Sequence, residues 1–117
     1  VEARQVVGDI KGRPCVLVDD MIDTAGTIVA AADLLTERGA SEVWAATTHC
    51  LLSGPAIDRL KNSTISRLIA TNTVPLPPER QLPMIEVLSV AGIIAAVIDA
   101  VFQDHSVSEI FGGENQS

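Results

Sequence analysis

Hydrophobic positions change their period along this chain, and the changes predict its elements. Residues 15–20 (CVLVDD) are a short apolar run with β-branched members, ending in acids. Such a run predicts a strand buried on both faces, as in a parallel sheet. Over residues 27–38 the period lengthens: Ile28, Ala31, Ala32 and Leu35 share one helical face, and Gly39 is a good residue to stop the helix. Residues 42–49 (EVWAATTH), 66–72 (SRLIATN) and 84–90 (MIEVLSV) predict three further strands. Residues 54–63 predict a short helix with Pro55 near its start, where a missing N–H does no harm. The segment 73–83 carries four prolines and predicts an ordered surface loop. Val90, Ile93, Ile94, Val97, Ile98, Val101 and Phe102 then form one broad apolar stripe on a last helix.

This order predicts an α/β fold, a mostly parallel sheet flanked by helices. Residues 4–13 offer a short additional strand pair with Gly12 near its turn. The 117 residues suffice for one domain with a real core, and 47% hydrophobic against 20% charged residues is globular composition. The net charge of −7 excludes non-specific nucleic-acid binding as a function, while a local site can still hold a phosphorylated small molecule. The two cysteines, Cys15 and Cys50, form no C-x-x-C pair; the expectation is buried thiols in a reducing, cytoplasmic compartment. The longest uncharged stretch, closed by Asp99, is too short to span a bilayer, so no membrane partner is expected. The chain begins at Val1 rather than Met, and the expectation is a fragment, a processed product or an engineered piece.

The candidate chemistry lies in residues 19–27, DDMIDTAGT. Ala25 and Gly26 are small enough for a tight turn, Thr24 and Thr27 add hydroxyl donors, and the helix that follows presents its positive end. Together they read as a phosphate cradle, without the lysine of a Walker loop and without G-x-G-x-x-G spacing. Asp19 and Asp20 would repel a phosphate, so they suit a different ligand group, either vicinal hydroxyls, as on a ribose, or a Mg²⁺ ion. A phosphate cradle beside a carboxylate pair describes a sugar phosphate. A strand end with an ordinary helix cap would need one such residue, not three acids and two threonines around a glycine. In an open α/β sheet such a site belongs at the carboxyl ends of strands, near a topological switch point.

The segment VLVDDMIDTAGTI resembles the phosphoribosyl-pyrophosphate fingerprint of type I phosphoribosyltransferases and of ribose-phosphate pyrophosphokinases. VVGDIKGR before it, and ATTHCLLSGPAIDRLKNSTI, TNTVPLP, VLSVAGIIAAVI and SVSEIF after it, are similar to the pyrophosphokinase family in order and spacing over nearly the whole chain. The resemblance implies a type I phosphoribosyltransferase-like (Rossmann-like) domain over residues 1–117, the carboxy-terminal half of a two-domain subunit. It implies an enzyme that transfers diphosphate from ATP to O1 of ribose 5-phosphate with Mg²⁺, in a homo-oligomer. It maps the 5-phosphate onto Asp23, Thr24, Ala25, Gly26 and Thr27, and the ribose hydroxyls onto Asp19 and Asp20. It places the ATP-binding segments, the metal-binding histidine and the main catalytic residues upstream of Val1, with residues 1–5 at the far edge of a mobile loop and Arg4 no substitute for the missing basic groups. Ser106, Ser108 and Phe111 match an allosteric nucleotide motif; the alternative is a tail whose Val107, Ile110 and Phe111 pack on the domain. Two other functions compete: a type I phosphoribosyltransferase, which needs a pyrophosphate loop and a hood that are not found here, and a non-catalytic regulatory sugar-phosphate-binding module.

Among the remaining polar residues, His49 follows a strand, where a lone histidine is more often structural than a ligand. Ser53 is a candidate cap for the short helix. Asp58, Arg59 and Lys61 read as a solvated helix face, and His105 as a surface residue.

Overall fold

The computed structural model describes residues 6–112. Four strands, β1 (Pro14–Ile22), β2 (Glu42–Cys50), β3 (Ile65–Thr71) and β4 (Ile85–Leu88), alternate with α1 (Gly26–Glu37), α2 (Ala56–Lys61) and α3 (Ala91–Phe102). The sheet is parallel throughout, in the order β1-β2-β3-β4. The α/β alternation and the parallel sheet are those expected. The strand pair offered for residues 4–13 is not formed among the described residues: Gly12 instead takes a left-handed turn (φ 74°) and its N–H donates to the Gly39 carbonyl at 2.8 Å. That link ties the entry of β1 to the end of α1, where Gly39 itself sits at φ 93°.

The core lies on one side of the sheet. Ile28 and Ala32 of α1, Ala56 and Leu60 of α2, Val43 and Ala45 of β2, and Ile65, Leu68 and Ala70 of β3 form one buried cluster. Each side chain of the size of Leu60 or Leu68, buried to 1% exposure or less, contributes about 1.5–3 kcal/mol. The opposite side is open, which corrects the expectation for β1. Val16 and Val18 are 56% and 80% exposed, because α1 and α2 both pack on the other face and no described layer covers this one. The apolar stripe of α3 is also open: Ile93, Ile94 and Ile98 are each about half exposed, and only Ala100 of that helix is buried. Here the helix is as expected, but its stripe packs on no layer of the described residues. Val107, Ile110 and Phe111 lie on a 3₁₀ turn (Val107–Phe111) that packs on α3 rather than on the sheet.

The proline-rich segment is largely on the surface, with a 3₁₀ turn at Pro78–Arg80, and is anchored by the buried Leu82 and the partly buried Leu76. Both cysteines are free; Cys50 is buried as expected, whereas Cys15 is only half-buried. Burial pushes the Cys50 thiol pKa up from its ordinary value. No described helix is long and apolar enough to cross a membrane.

Candidate sugar-phosphate site at the end of the first strand

The loop between β1 and α1 turns at Ala25, which sits in the left-handed region (φ 66°, ψ 5°). For an L-residue this costs about 1–2 kcal/mol, offset in part by burial, since Ala25 is only 5% exposed. A small side chain is what both conditions admit. Immediately after it α1 begins with no side-chain cap on its first turn. The opening amides of a helix have no intrahelical carbonyl to donate to, and here no side chain takes them. The first helical bond is from Val29 N–H to the Ala25 carbonyl, at 3.1 Å.

A cavity of about 240 Å³ opens at this turn, lined by Asp19, Met21, Ile22, Asp23, Thr24, Ala25, Gly26, Thr27 and Ile28. Six of the seven site residues expected from the sequence meet here. The seventh, Asp20, is outside the lining; it is exposed, and its backbone N–H donates to the Asp19 carboxylate at 2.8 Å. Adjacent strand residues point to opposite faces, which separates the two carboxylates. The cavity is at the carboxyl end of a strand as expected, but β1 is an edge of a sequentially ordered sheet, so no topological switch point occurs among the described strands.

The loop is held from the next βα unit. Leu51 and Leu52 N–H both donate to the Ile22 carbonyl (3.0 and 3.3 Å), and Ser53 N–H donates to the Asp23 carbonyl (2.9 Å). Ser53 thus serves the site with its backbone, and its side chain does not cap α2. Pro55 stands one residue before α2, as its amino-terminal cap position. Arg59, expected on a solvated face with Asp58 and Lys61, is exposed but engaged: its Nη1 donates to the Thr24 carbonyl at 3.0 Å. Sequence reasoning missed this contact because it joins residues 35 apart, and only the side-by-side placement of two βα units makes it. His49 has a structural role, sharing a 2.7 Å hydrogen bond with Thr73 Oγ1. Thr73 and Thr71 hydroxyls in turn donate to the Thr48 carbonyl.

The second candidate region lies at the other end of the chain. Ser106 and Ser108 hydroxyls are 2.7 Å apart. A cavity of about 280 Å³ there is lined by Ala96, Asp99, Ala100, His105, Ser106, Glu109 and Ile110, without Ser108 or Phe111. Residues 1–5, including Arg4, lie outside the described residues.

Comparison with known proteins agrees with this arrangement. The chain is 56% identical over 111 residues to a ribose-phosphate pyrophosphokinase of Streptomyces avermitilis, covering 95% of this chain and 34% of that protein. It is 50% identical over 111 residues to one of Gloeobacter violaceus, with 95% and 33% covered. A crystal structure of phosphoribosylpyrophosphate synthetase from Mycobacterium smegmatis superposes with a TM-score of 0.82 at 48% identity, over 84% of this chain and 33% of that one. The resemblance to ribose-phosphate pyrophosphokinases, rather than to type I phosphoribosyltransferases alone, is borne out, and with it the phosphoribosyltransferase-type fold. The chain spans about a third of the length of these relatives. The family described as the phosphoribosyl synthetase-associated domain matches residues 3–112, so the chain, with its parallel sheet and the small-residue turn after β1, belongs to that family.

Proposed function

We propose that this chain is the carboxy-terminal, ribose 5-phosphate-binding part of a ribose-phosphate pyrophosphokinase. In that reading O1 of ribose 5-phosphate attacks the β-phosphorus of ATP. The bond from that phosphorus to the oxygen bridging the α-phosphate breaks, AMP leaves with the electron pair, and the O1 proton is lost. The product is phosphoribosyl pyrophosphate. The observation that carries the reading is the uncapped first turn of α1 behind the left-handed Ala25, with the Asp19 carboxylate in the same cavity. The phosphate takes the amides and hydroxyls of residues 24–27. Asp19 takes ribose hydroxyls, and Asp20 acts from the adjacent position.

Mg²⁺ belongs to this reading as cofactor. That ion uses one or two carboxylates together with waters and substrate phosphates, not an all-protein cage. Asp19 in the cavity lining fits such a role, while Asp20 is exposed outside it, and no cluster of three or more His, Cys, Asp or Glu able to hold a metal occurs among the described residues. Bound there, the ion would supply neutralisation of the diphosphate charge; Asp19, the carboxylate of the pair that lines the cavity, would hold it. The residues that position ATP and carry the chemistry lie on other segments of the enzyme, so the chain by itself makes no phosphoribosyl pyrophosphate.

The same reading puts the protein in the cytoplasm, in agreement with two free cysteines, and in a homo-oligomer, supported by the open apolar surface of β1 and α3. Ser106, Ser108 and Phe111 then meet a nucleotide effector at a boundary between copies. Asp99 and Glu109 line the cavity beside Ser106 and oppose an anion, so ADP binds the lone chain weakly or not at all. The central claim is tested by titrating ribose 5-phosphate into the chain and following amide shifts. Shifts at residues 19 and 23–28 are expected; shifts clustered elsewhere overturn the assignment.

A further inference from the structure

No basic side chain lines the cavity at the β1–α1 turn, and two of its residues, Asp19 and Asp23, are acids. The turn also lacks a side-chain cap, and it contains an alanine in a conformation that favours glycine. Left to its own residues, this loop has little to hold it in an anion-binding shape. What holds it comes from the neighbouring unit. The segment 51–53 takes the carbonyls of Ile22 and Asp23, and Arg59 takes that of Thr24. Three consecutive carbonyls, those of Ile22, Asp23 and Thr24, are therefore claimed by donors from one βα unit. Arg59 is the charged member of that set, and its hydrogen bond is charge-assisted.

Gly26 belongs to the same arrangement. A Cβ at that position would lie 3.1 Å from Arg59 Nη1. The absent side chain leaves the guanidinium room to lie against the turn. Arg59 thus adds a positive charge beside a loop whose own charges are negative, and it adds it through a backbone group rather than through the cavity.

We propose that Arg59 is a positioning residue of the phosphate loop: by holding the Thr24 carbonyl it pre-shapes residues 24–27 for an anion and offsets the nearby carboxylates. The ligand side of this inference rests on the sugar-phosphate reading above; the holding of the loop does not. Because the Arg59–Thr24 bond is exposed, its loss changes global stability little, which separates positioning from a merely structural role.

The experiment compares the wild-type chain with Arg59→Ala and Arg59→Lys. In the absence of ligand, amide hydrogen exchange is read at Val29 and Ser53, whose bonds to Ala25 and Asp23 flank the loop. Arg59→Ala is expected to speed both by about fivefold or more and to leave β2 and β3 amides unchanged, with an unshifted thermal midpoint. Ribose 5-phosphate affinity, by calorimetry, is expected to fall about tenfold, with partial recovery in Arg59→Lys. Unchanged exchange at Val29 and Ser53 in Arg59→Ala overturns the proposal whatever the ligand does. Faster exchange with unchanged ribose 5-phosphate affinity also overturns it. A wild-type chain that binds no ribose 5-phosphate refutes the sugar-phosphate reading and with it the ligand half of the proposal, and the exchange result alone then decides whether Arg59 holds the loop.

Discussion

α1 and α3 are two helices of 12 residues, both rich in small and branched apolar side chains, and neither has a side-chain amino-terminal cap or a charge placed for its dipole. Their surroundings differ. α1 places Ile28 and Ala32 in the core, and its first turn carries the candidate site. α3 is the more apolar of the two, yet it buries only Ala100 and leaves Ile98 at 52% and Val101 at 64% exposure. An apolar stripe makes a helix, but it becomes part of a core only when a layer meets it. The site follows the same rule. The loop ahead of α1 is shaped because a neighbouring unit grips its carbonyls; the serines after α3 lie, among the described residues, against that helix and not against the sheet.

The contrast breaks most readily in stability measurements. Ile28→Ala is expected to cost about 2–5 kcal/mol in urea unfolding at low protein concentration. Ile98→Ala is expected to cost less than about 0.5 kcal/mol there. Equal costs would mean that the α3 stripe is covered. Sedimentation across a concentration series sharpens the point: the chain is expected to self-associate, and a strict monomer at high concentration would remove the association claim.

Next in size is the difference between the two adjacent carboxylates. Asp19→Asn should weaken ribose 5-phosphate binding by about 1.5–3 kcal/mol, the worth of a charge-assisted hydrogen bond. Asp20→Asn should weaken it less, because Asp20 is outside the cavity lining. Identical affinities for both variants and the wild type, by calorimetry, would take the sugar hydroxyls away from this pair.

A smaller effect is expected at the turn. Ala25→Gly relieves left-handed strain and loses a buried methyl, with a freer unfolded chain. These terms nearly cancel, leaving stability within about 1 kcal/mol of the wild type and the ribose 5-phosphate shifts in place. A large loss of binding would show that the Ala25 methyl itself shapes the cavity.

The least effect concerns the two thiols, one buried and one half-buried. The Cys50 pKa is raised by burial above its ordinary value of 9.0. The folded state therefore keeps a proton that the unfolded chain releases. Stability from this group is fully present below about pH 9 and is lost as pH rises beyond it. Unfolding midpoints measured from about pH 8 to 10 should fall in the wild type and fall less in Cys50→Ala. A thiol reagent should label Cys15 first, since Cys50 is 1% exposed.

Much of this architecture was legible in the sequence because its signals are local. The apolar run of residues 15–20 and the helical period of residues 27–38 each belong to a single element, and the small-residue turn at Ala25 and Gly26 carries its own chemistry. What could not be read depends on neighbours. That Val16 and Val18 face outward follows from both α1 and α2 packing on the other face of the sheet. That Asp19 enters the cavity and Asp20 does not follows from which of the two alternating faces of β1 the α1 unit covers. That Arg59 reaches Thr24 follows from two βα units lying side by side. Residues 4–13 had strand-like composition, but Gly12 spends its N–H on Gly39, outside any sheet.

The open side of the sheet has a consequence for heat. Unfolding of a globular chain raises its heat capacity by about 12–15 cal/mol/K per residue, mainly through newly wetted apolar surface. Here Val16, Val18 and the α3 stripe are wet before unfolding begins. The chain alone should therefore show a smaller heat-capacity step than its length suggests, and a flatter, lower curve of stability against temperature. Whatever covers that side should bind with a negative heat-capacity change and restore the missing curvature.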